Sequence, residues 1–321
     1  MNITVIGCGR WGSLITWYLD HIGHRVTLYG RAASPRMQAF LTTRQNDLLT
    51  LPESVALSTA LDAALESVET VIISIGSQSL RSLLGQSELQ ALRSRTVVLC
   101  MKGLEMGTGA RLSQIAAELL HPSNTVAVWL GPGHVQEFYR GIPNCMVIDS
   151  ENEDVKRRLV QAFSSDLIRF YYGGDMIGNE VGAAAKNVVG IAAGFLDGFE
   201  MSSLKGALMS RGTREVARLI KAMGGSELSA YGLCHLGDYE ATVFSPYSHN
   251  RQFGESFVRG QDYHQLAEGY YTVKALMLLG QRYGVELPIC KAVHDILYEQ
   301  AVPRDVLAGL LRRGLTEEFY D

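Results

Sequence analysis

The sequence predicts an α/β chain in two parts. An N-terminal domain on a mostly parallel sheet spans 1–173, and an all-helical C-terminal domain spans 174–321. Three observations carry this. The chain has 321 residues, more than one hydrophobic core usually serves. Its first half alternates short apolar runs with helical segments. After Tyr172-Gly173-Gly174-Asp175 the short runs stop and long helical patterns dominate.

Strand-like runs are Ile3–Ile6, Arg25–Tyr29, Val71–Ile75, Thr96–Met101, Val126–Leu130 and Cys145–Ile148. Each is β-rich and apolar on both faces, as strands between two helix layers should be. Trp11–His21 and Arg111–Leu120 read as helices between them. In the second half Glu180–Leu196, Leu204–Ala222, Leu266–Tyr283 and Cys290–Gln300 read as helices.

Composition excludes several classes. Hydrophobic residues make up 47% and charged residues 19%, with a net charge of -4. That is an ordinary globular balance, without the basic clustering that nucleic-acid binding needs. Five separated cysteines, with no CxxC pair, form neither a disulfide framework nor a zinc site. No metal is expected. No apolar run approaches a membrane span, and no signal peptide is apparent. The expected location is the reducing cytoplasm.

Gly7-Cys8-Gly9-Arg10-Trp11-Gly12 follows the first strand and opens the first helix, matching G-x-G-x-x-G. Gly7 permits a tight turn, Gly9 lets the backbone approach a pyrophosphate, and Gly12 allows close helix–strand packing. The helix N-terminus turns free N–H groups toward the phosphates. The N-terminal domain is thus expected to be Rossmann-like and to bind a dinucleotide. The second strand ends in Leu28-Tyr29-Gly30-Arg31, without the acidic residue that selects NAD. Arg31 suits a 2′-phosphate, so NADPH is favoured over NADH. It also fits a solvated surface arginine.

Three further segments are unusual. Lys186-Asn187 lies among small residues on a helix that otherwise reads as buried. A lysine there loses solvation, its pKa falls, and it suits acid/base work at a carbonyl/alcohol centre. A snorkelling lysine that covers apolar surface fits equally well. Asp238 and Thr242 follow, and Asp238 is placed to hold Lys186 charged or to orient it. In Ser245-Pro246-Tyr247-Ser248-His249-Asn250-Arg251, crowded donors suit a phosphate, and they also suit a capped turn. Lys102-Gly103 sits just past an apolar strand, where an open parallel sheet faces its ligand crevice, and Gly131-Pro132-Gly133 ends a later strand in the same way.

Taken in order, these motifs resemble the NAD(P)-dependent glycerol-3-phosphate dehydrogenase family over nearly the whole chain. The likeness rests on Gly7, Gly9, Trp11 and Gly12, on Lys102-Gly103 and on Gly131-Pro132. It continues through Lys186-Asn187, Leu208-Met209-Ser210-Arg211-Gly212, Gly237-Asp238 with Thr242, Asn250-Arg251, Glu268-Gly269 and Leu287-Pro288-Ile289. The resemblance implies reduction of dihydroxyacetone phosphate to glycerol 3-phosphate with NADPH or NADH, feeding glycerophospholipid synthesis, by a homodimer. It implies Lys186 as general acid/base, with Lys102 and Asp238 beside it in the catalytic set. It implies coenzyme contacts from Gly7, Gly9, Arg10, Trp11, Gly12, Arg31, Lys102, Val135, Leu266 and Glu268. It implies substrate contacts from Lys102, Gly131, Gly133, Lys186, Asn187, Asp238, Thr242, Ser248, His249 and Asn250.

The chain departs from the family pattern at four places. Gly133 stands where Ser or Thr is usual, and Val135 where Ala is. Ser203 stands where Asn is usual before the Leu-x-x-Arg-Gly stretch. His249 replaces the middle Arg of Ser-Arg-Asn, with Arg251 one residue out of register. These departures leave two alternatives: a related dehydrogenase acting on another small hydroxy acid or polyol phosphate, or a non-catalytic NADPH sensor.

Overall fold

The computed structural model describes residues 1–312, 317 and 318. The β-branched apolar runs become strands and the amphipathic stretches between them become helices. The first part of the chain runs β1 (Asn2–Ile6), α1 (Arg10–His21), β2 (Arg25–Tyr29), α2 (Pro35–Thr43), β3 (Ala56–Ser58), α3 (Leu61–Leu65) and β4 (Thr70–Ile73). It continues through α4 (Leu80–Leu84), α5 (Ser87–Gln90), β5 (Thr96–Leu99), α6 (Leu112–Leu119), β6 (Thr125–Leu130), α7 (Val135–Tyr139), β7 (Asn144–Asp149), α8 (Glu153–Phe163) and β8 (Ile168–Tyr172). Then come α9 (Met176–Gly198), α10 (Lys205–Ala222), α11 (His249–Val258), α12 (Glu268–Tyr283), α13 (Pro288–Tyr298) and α14 (Pro303–Leu311).

The strands form one sheet in the order β3-β2-β1-β4-β5-β6-β7-β8. Every pairing is parallel except β6 with β7. β1 pairs with β2 on one side (Ile3 beside Val26) and with β4 on the other (Ile3 beside Thr70). The winding reverses there, and in open α/β sheets the ligand crevice opens at the carboxyl ends of such strands.

The central strands match the sequence reading, with trimmed ends. The runs Val71–Ile75 and Thr96–Met101 stop as strands at Ile73 and Leu99. Two strands escaped that reading, and both are edge strands. β3 has only 3 residues, too few for periodicity. β8 has Ile168 and Phe170 buried but Arg169, Tyr171 and Tyr172 exposed. A search for runs apolar on both faces passes over it.

Contacts divide the chain into two units. One comprises Met1–Met101 and Leu112–Met176, and the other comprises Lys102–Arg111 with the chain from Ile177 onward. Against the expected single cut at 173/174, the division falls at 176/177, and the loop after β5 belongs with the helices. The reason is apolar. Leu104 is fully buried in the helical unit's core, together with Val181, Ala184, Val188, Leu276 and Leu279. Arg111 adds an ion pair to Glu180 at 2.6 Å, with both side chains largely buried.

Helix α9 is the axis of the helical unit and is buried from Gly178 to Leu196. Its small residues let other backbones come close. A Cβ at Gly194 would lie 2.1 Å from the Arg251 carbonyl oxygen, and one at Gly254 would lie 2.2 Å from that of Ile191. Helices α9 and α11 thus touch backbone to backbone, which carries the segment from Ser245 to Asn250 against α9.

Candidate functional site

The sheet unit offers a glycine turn. Gly7 has φ +116°, a conformation that L side chains rarely adopt, and a Cβ there would lie 2.2 Å from the Ser74 carbonyl oxygen. A Cβ at Gly12 would lie 1.8 Å from the Gly7 carbonyl oxygen. The turn therefore closes tightly between β1, β4 and α1. Gly9 is the N-cap of α1 and brings no side-chain cap. A Cβ at Gly9 would meet only the Arg36 guanidinium, at 3.7 Å. This geometry fits a dinucleotide pyrophosphate: no backbone crowds Gly9, the helix end is positive, and a cation lies beside it.

Arg36 is a residue that sequence reading missed. It lies on α2, seven positions past the end of β2, where no motif marks it. Arg31 is exposed, as its solvated reading required and as a contact to a 2′-phosphate also permits. Gly30 has a packing reason: a Cβ there would come within 2.9 Å of both Cys8 Sγ and Met37 Sδ. Arg10 reaches Gln136 at 3.3 Å, and Trp11 meets Phe138 edge-on at 6.1 Å between centroids. Val135 is buried at the start of α7.

The departure at Gly133 now has a physical cause. Its φ is +140°, and a Cβ would lie 2.2 Å from the Phe138 ring. The ring occupies the place a serine or threonine side chain would need. Gly131 also has a positive φ, at +123°.

We expect Gly12→Ala to fail at this turn. A flexible side chain can move away from an added methyl, but the Gly7 carbonyl cannot without opening the turn. The overpacking costs roughly 1–3 kcal/mol. Thermal melts and an NADPH fluorescence titration check this, with binding expected to weaken by about tenfold or more. Parent-like melting and binding would show that the turn is looser than drawn.

The helical unit gathers the second group of residues. Lys186 Nζ donates to Thr242 Oγ1 at 2.7 Å and lies 3.2 Å from Asp238 Oδ2. Lys102 Nζ donates to the same Asp238 oxygen at 2.7 Å. Asp238 and Thr242 are each 1% exposed and Lys186 is 7% exposed. One carboxylate thus stands between two ammonium groups, leaving a net positive charge in a poorly solvated place. Burial pushes the Lys186 amine down to about 8, and Lys102 adds to the fall while Asp238 opposes it. The snorkelling reading of Lys186 does not hold, because its amine ends inside this network.

Two asparagines tie four segments together. Asn187 Nδ2 donates to the Lys102 carbonyl at 2.7 Å. Asn250 Nδ2 donates to Asn187 Oδ1 at 3.0 Å, and Asn250 Oδ1 accepts from the Gly269 amide at 2.9 Å. The loop after β5, α9, α11 and the first turn of α12 are locked through these amides. Glu268 is the first residue of α12, and Leu266 is exposed in the loop before it.

The segment around Ser248 is a capped turn. Ser248 Oγ accepts from the Arg251 amide at 3.3 Å and caps α11. Arg251 is engaged within the helical unit. Its guanidinium donates to Asp197 at 2.8 Å, to Glu255 at 2.9 Å and to the Ser245 carbonyl at 3.0 Å. His249 Nδ1 lies 2.6 Å from the Tyr263 hydroxyl. Buried residues that sequence reading missed are His235 and Tyr239, which flank Asp238 and are both 0% exposed. Among the described residues no group of His, Cys, Asp and Glu has the makings of a metal site, and no helix is long and apolar enough to cross a membrane.

Comparison with known proteins agrees with this layout. The family models of the NAD-dependent glycerol-3-phosphate dehydrogenase N-terminus and C-terminus match residues 2–156 and 175–308. A glycerol-3-phosphate dehydrogenase [NAD(P)+] of Thermoanaerobacter sp. (strain X514) is 32% identical over 331 residues, covering 100% of this chain and 99% of that protein. The enzyme of that name from Nitrosomonas europaea is 35% identical over 325 residues, covering 98% of each. The crystal structure of glycerol-3-phosphate dehydrogenase from Coxiella burnetii superposes with a TM-score of 0.89 at 27% identity, over 97% of this chain and 99% of that one. With both halves matched in order and full-length relatives above 30% identity, this chain belongs to the NAD-dependent glycerol-3-phosphate dehydrogenase family.

Proposed function

We propose that this protein reduces dihydroxyacetone phosphate to sn-glycerol 3-phosphate with NAD(P)H, reversibly, and so feeds glycerophospholipid synthesis. One observation carries the reading: the Lys186 amine is buried, hydrogen-bonded to Thr242, and beside a carboxylate that a second lysine shares. A carbonyl that becomes an alkoxide needs a proton and a positive field, and this cluster has both.

The glycine turn at Gly7, Gly9 and Gly12, with Arg10, Trp11, Arg31, Arg36 and Val135, would hold the coenzyme. The family resemblance assigns further coenzyme contacts to Lys102, Leu266 and Glu268. Bound NAD(P)H supplies the hydride. Lys186, protonated, gives its proton to the C2 oxygen of the substrate. Lys102 stabilises the charge that develops there, while Asp238 and Thr242 hold the Lys186 amine in place. In the reverse direction neutral Lys186 takes the alcohol proton. The net positive charge favours a phosphorylated substrate over a neutral ketone. Gly131, Gly133, Asn187, Ser248, His249 and Asn250 would shape the substrate's place. Arg31, exposed just past β2, favours NADPH over NADH. A cytoplasmic homodimer fits the family.

The test is coenzyme oxidation followed by absorbance, with NADPH and NADH compared. We expect dihydroxyacetone phosphate to drive turnover and unphosphorylated ketones to fail. Reduction needs the charged amine, so kcat/KM should be level below pH 8 and fall above the Lys186 value of about 8. Oxidation of the alcohol needs the neutral amine and should rise through the same range. Tight NADPH binding without turnover would favour a sensor. Equal rates on unphosphorylated ketones would favour a different dehydrogenase.

A further inference from the structure

His235 precedes the tight turn Leu236–Asp238, and Tyr239 follows it. The His235 Nδ1 lies 2.8 Å from the Gly182 carbonyl oxygen, and its Nε2 lies 2.7 Å from the Tyr239 hydroxyl. A carbonyl only accepts, so Nδ1 carries a proton. Burial pushes the ring down to about 4, so it is neutral at working pH. Nε2 is then an acceptor, and the Tyr239 hydroxyl donates to it. Both bonds have one consistent arrangement, which fixes the tautomer.

The place where this strut lands matters. Gly182 is four residues before Lys186 on α9, so its carbonyl is the one the Lys186 amide meets in an α-helix. The fit is close, since a Cβ at Gly182 would lie 3.0 Å from the His235 Cβ. Tyr239 packs with Val189, Ala193 and Val243. Asp238 is thereby held from both sides in sequence. His235 anchors one flank to the turn of α9 that leads into Lys186, and Tyr239 anchors the other.

We propose that His235 and Tyr239 form a positioning pair that holds the Asp238 carboxylate against the Lys186 amine and so sets that amine's protonation. The inference rests on Lys186 being the proton donor of the proposed reaction. The charged groups facing the amine are Asp238 and Lys102, and Thr242 faces it as a neutral acceptor. A neutral His235 adds no third cation. Slackening of Asp238 weakens the opposing charge and leaves Lys102 and burial to lower the amine further.

The experiment titrates Lys186 directly, by NMR of protein carrying 13C-labelled lysine, with the resonance assigned through its loss in Lys186→Met. His235→Ala, His235→Asn and Tyr239→Phe are compared with the parent, alongside pH profiles of reduction. His235→Ala and Tyr239→Phe should lower the Lys186 midpoint by about one pH unit. The alkaline fall in rate should move with it. His235→Asn keeps an N–H facing Gly182 and should restore most of the shift. Should His235→Ala not fold, Tyr239→Phe removes a single oxygen and still decides the question. A folded variant that melts lower but keeps the parent's midpoint overturns the proposal, because the pair is then only packing. A midpoint that moves while the rate profile stays put supports the pair and removes Lys186 from the chemistry, so the two readings fail separately.

Discussion

Lys186→Met should lower kcat for dihydroxyacetone phosphate reduction by roughly 10²–10⁴-fold, the usual contribution of a positioned acid. Methionine keeps most of the apolar stem in a site where the lysine is 7% exposed, so the fold should survive. Coenzyme binding should be near the parent's, because the glycine turn belongs to a different unit of the chain. The loss should fall on kcat more than on KM, since Lys102 still supplies a cation. Steady-state kinetics with a parallel NADPH titration checks this. A kcat close to the parent's would remove the proton-transfer role.

Asp238→Asn is expected to harm both stability and chemistry. The carboxylate is 1% exposed and touches Lys102 at 2.7 Å and Lys186 at 3.2 Å. Removing one partner of a buried ion pair costs about 3–5 kcal/mol, because it strands the other charge. Here two ammonium groups would be stranded together. The protein's escape is to release a proton from Lys186, whose amine Asp238 holds up. The sign follows from that. The amine's midpoint falls below 8, reduction at neutral pH drops because the acid is already spent, and its alkaline limb moves to lower pH. Melting should fall on the order of 10 °C at pH 7 and recover in part as pH rises. A melting curve and pH profile like the parent's would mean that Asp238 is not the partner drawn here.

Much of the sheet was legible because its central strands are short, β-branched and covered on both sides. Thr70–Ile73 and Thr96–Leu99 are wholly buried, and a continuous apolar run signals that. The edges were not legible, because β8 exposes Arg169 and Tyr171 and reads as polar. Lys186 was conspicuous as a charge among alanines and glycines. His235 was not, since a lone histidine in a loop has no period, and its partner lies 53 residues away at Gly182. Ser248 and Arg251 show the opposite difficulty. Serine, asparagine and arginine suit both an anion site and a helix cap, and only coordinates reveal that Arg251 is held by Asp197 and Glu255.

The loop after β5 carries one last consequence. Lys102 and Leu104 reach the helical unit from a stretch of chain that lies before Leu112, far ahead of α9 in sequence. A gene severed at residue 176 would therefore deprive the downstream fragment of a core leucine and of one of the two lysines that pair with Asp238. Neither piece would be a working half, and fusions or transplants of this enzyme's modules need their joints placed elsewhere.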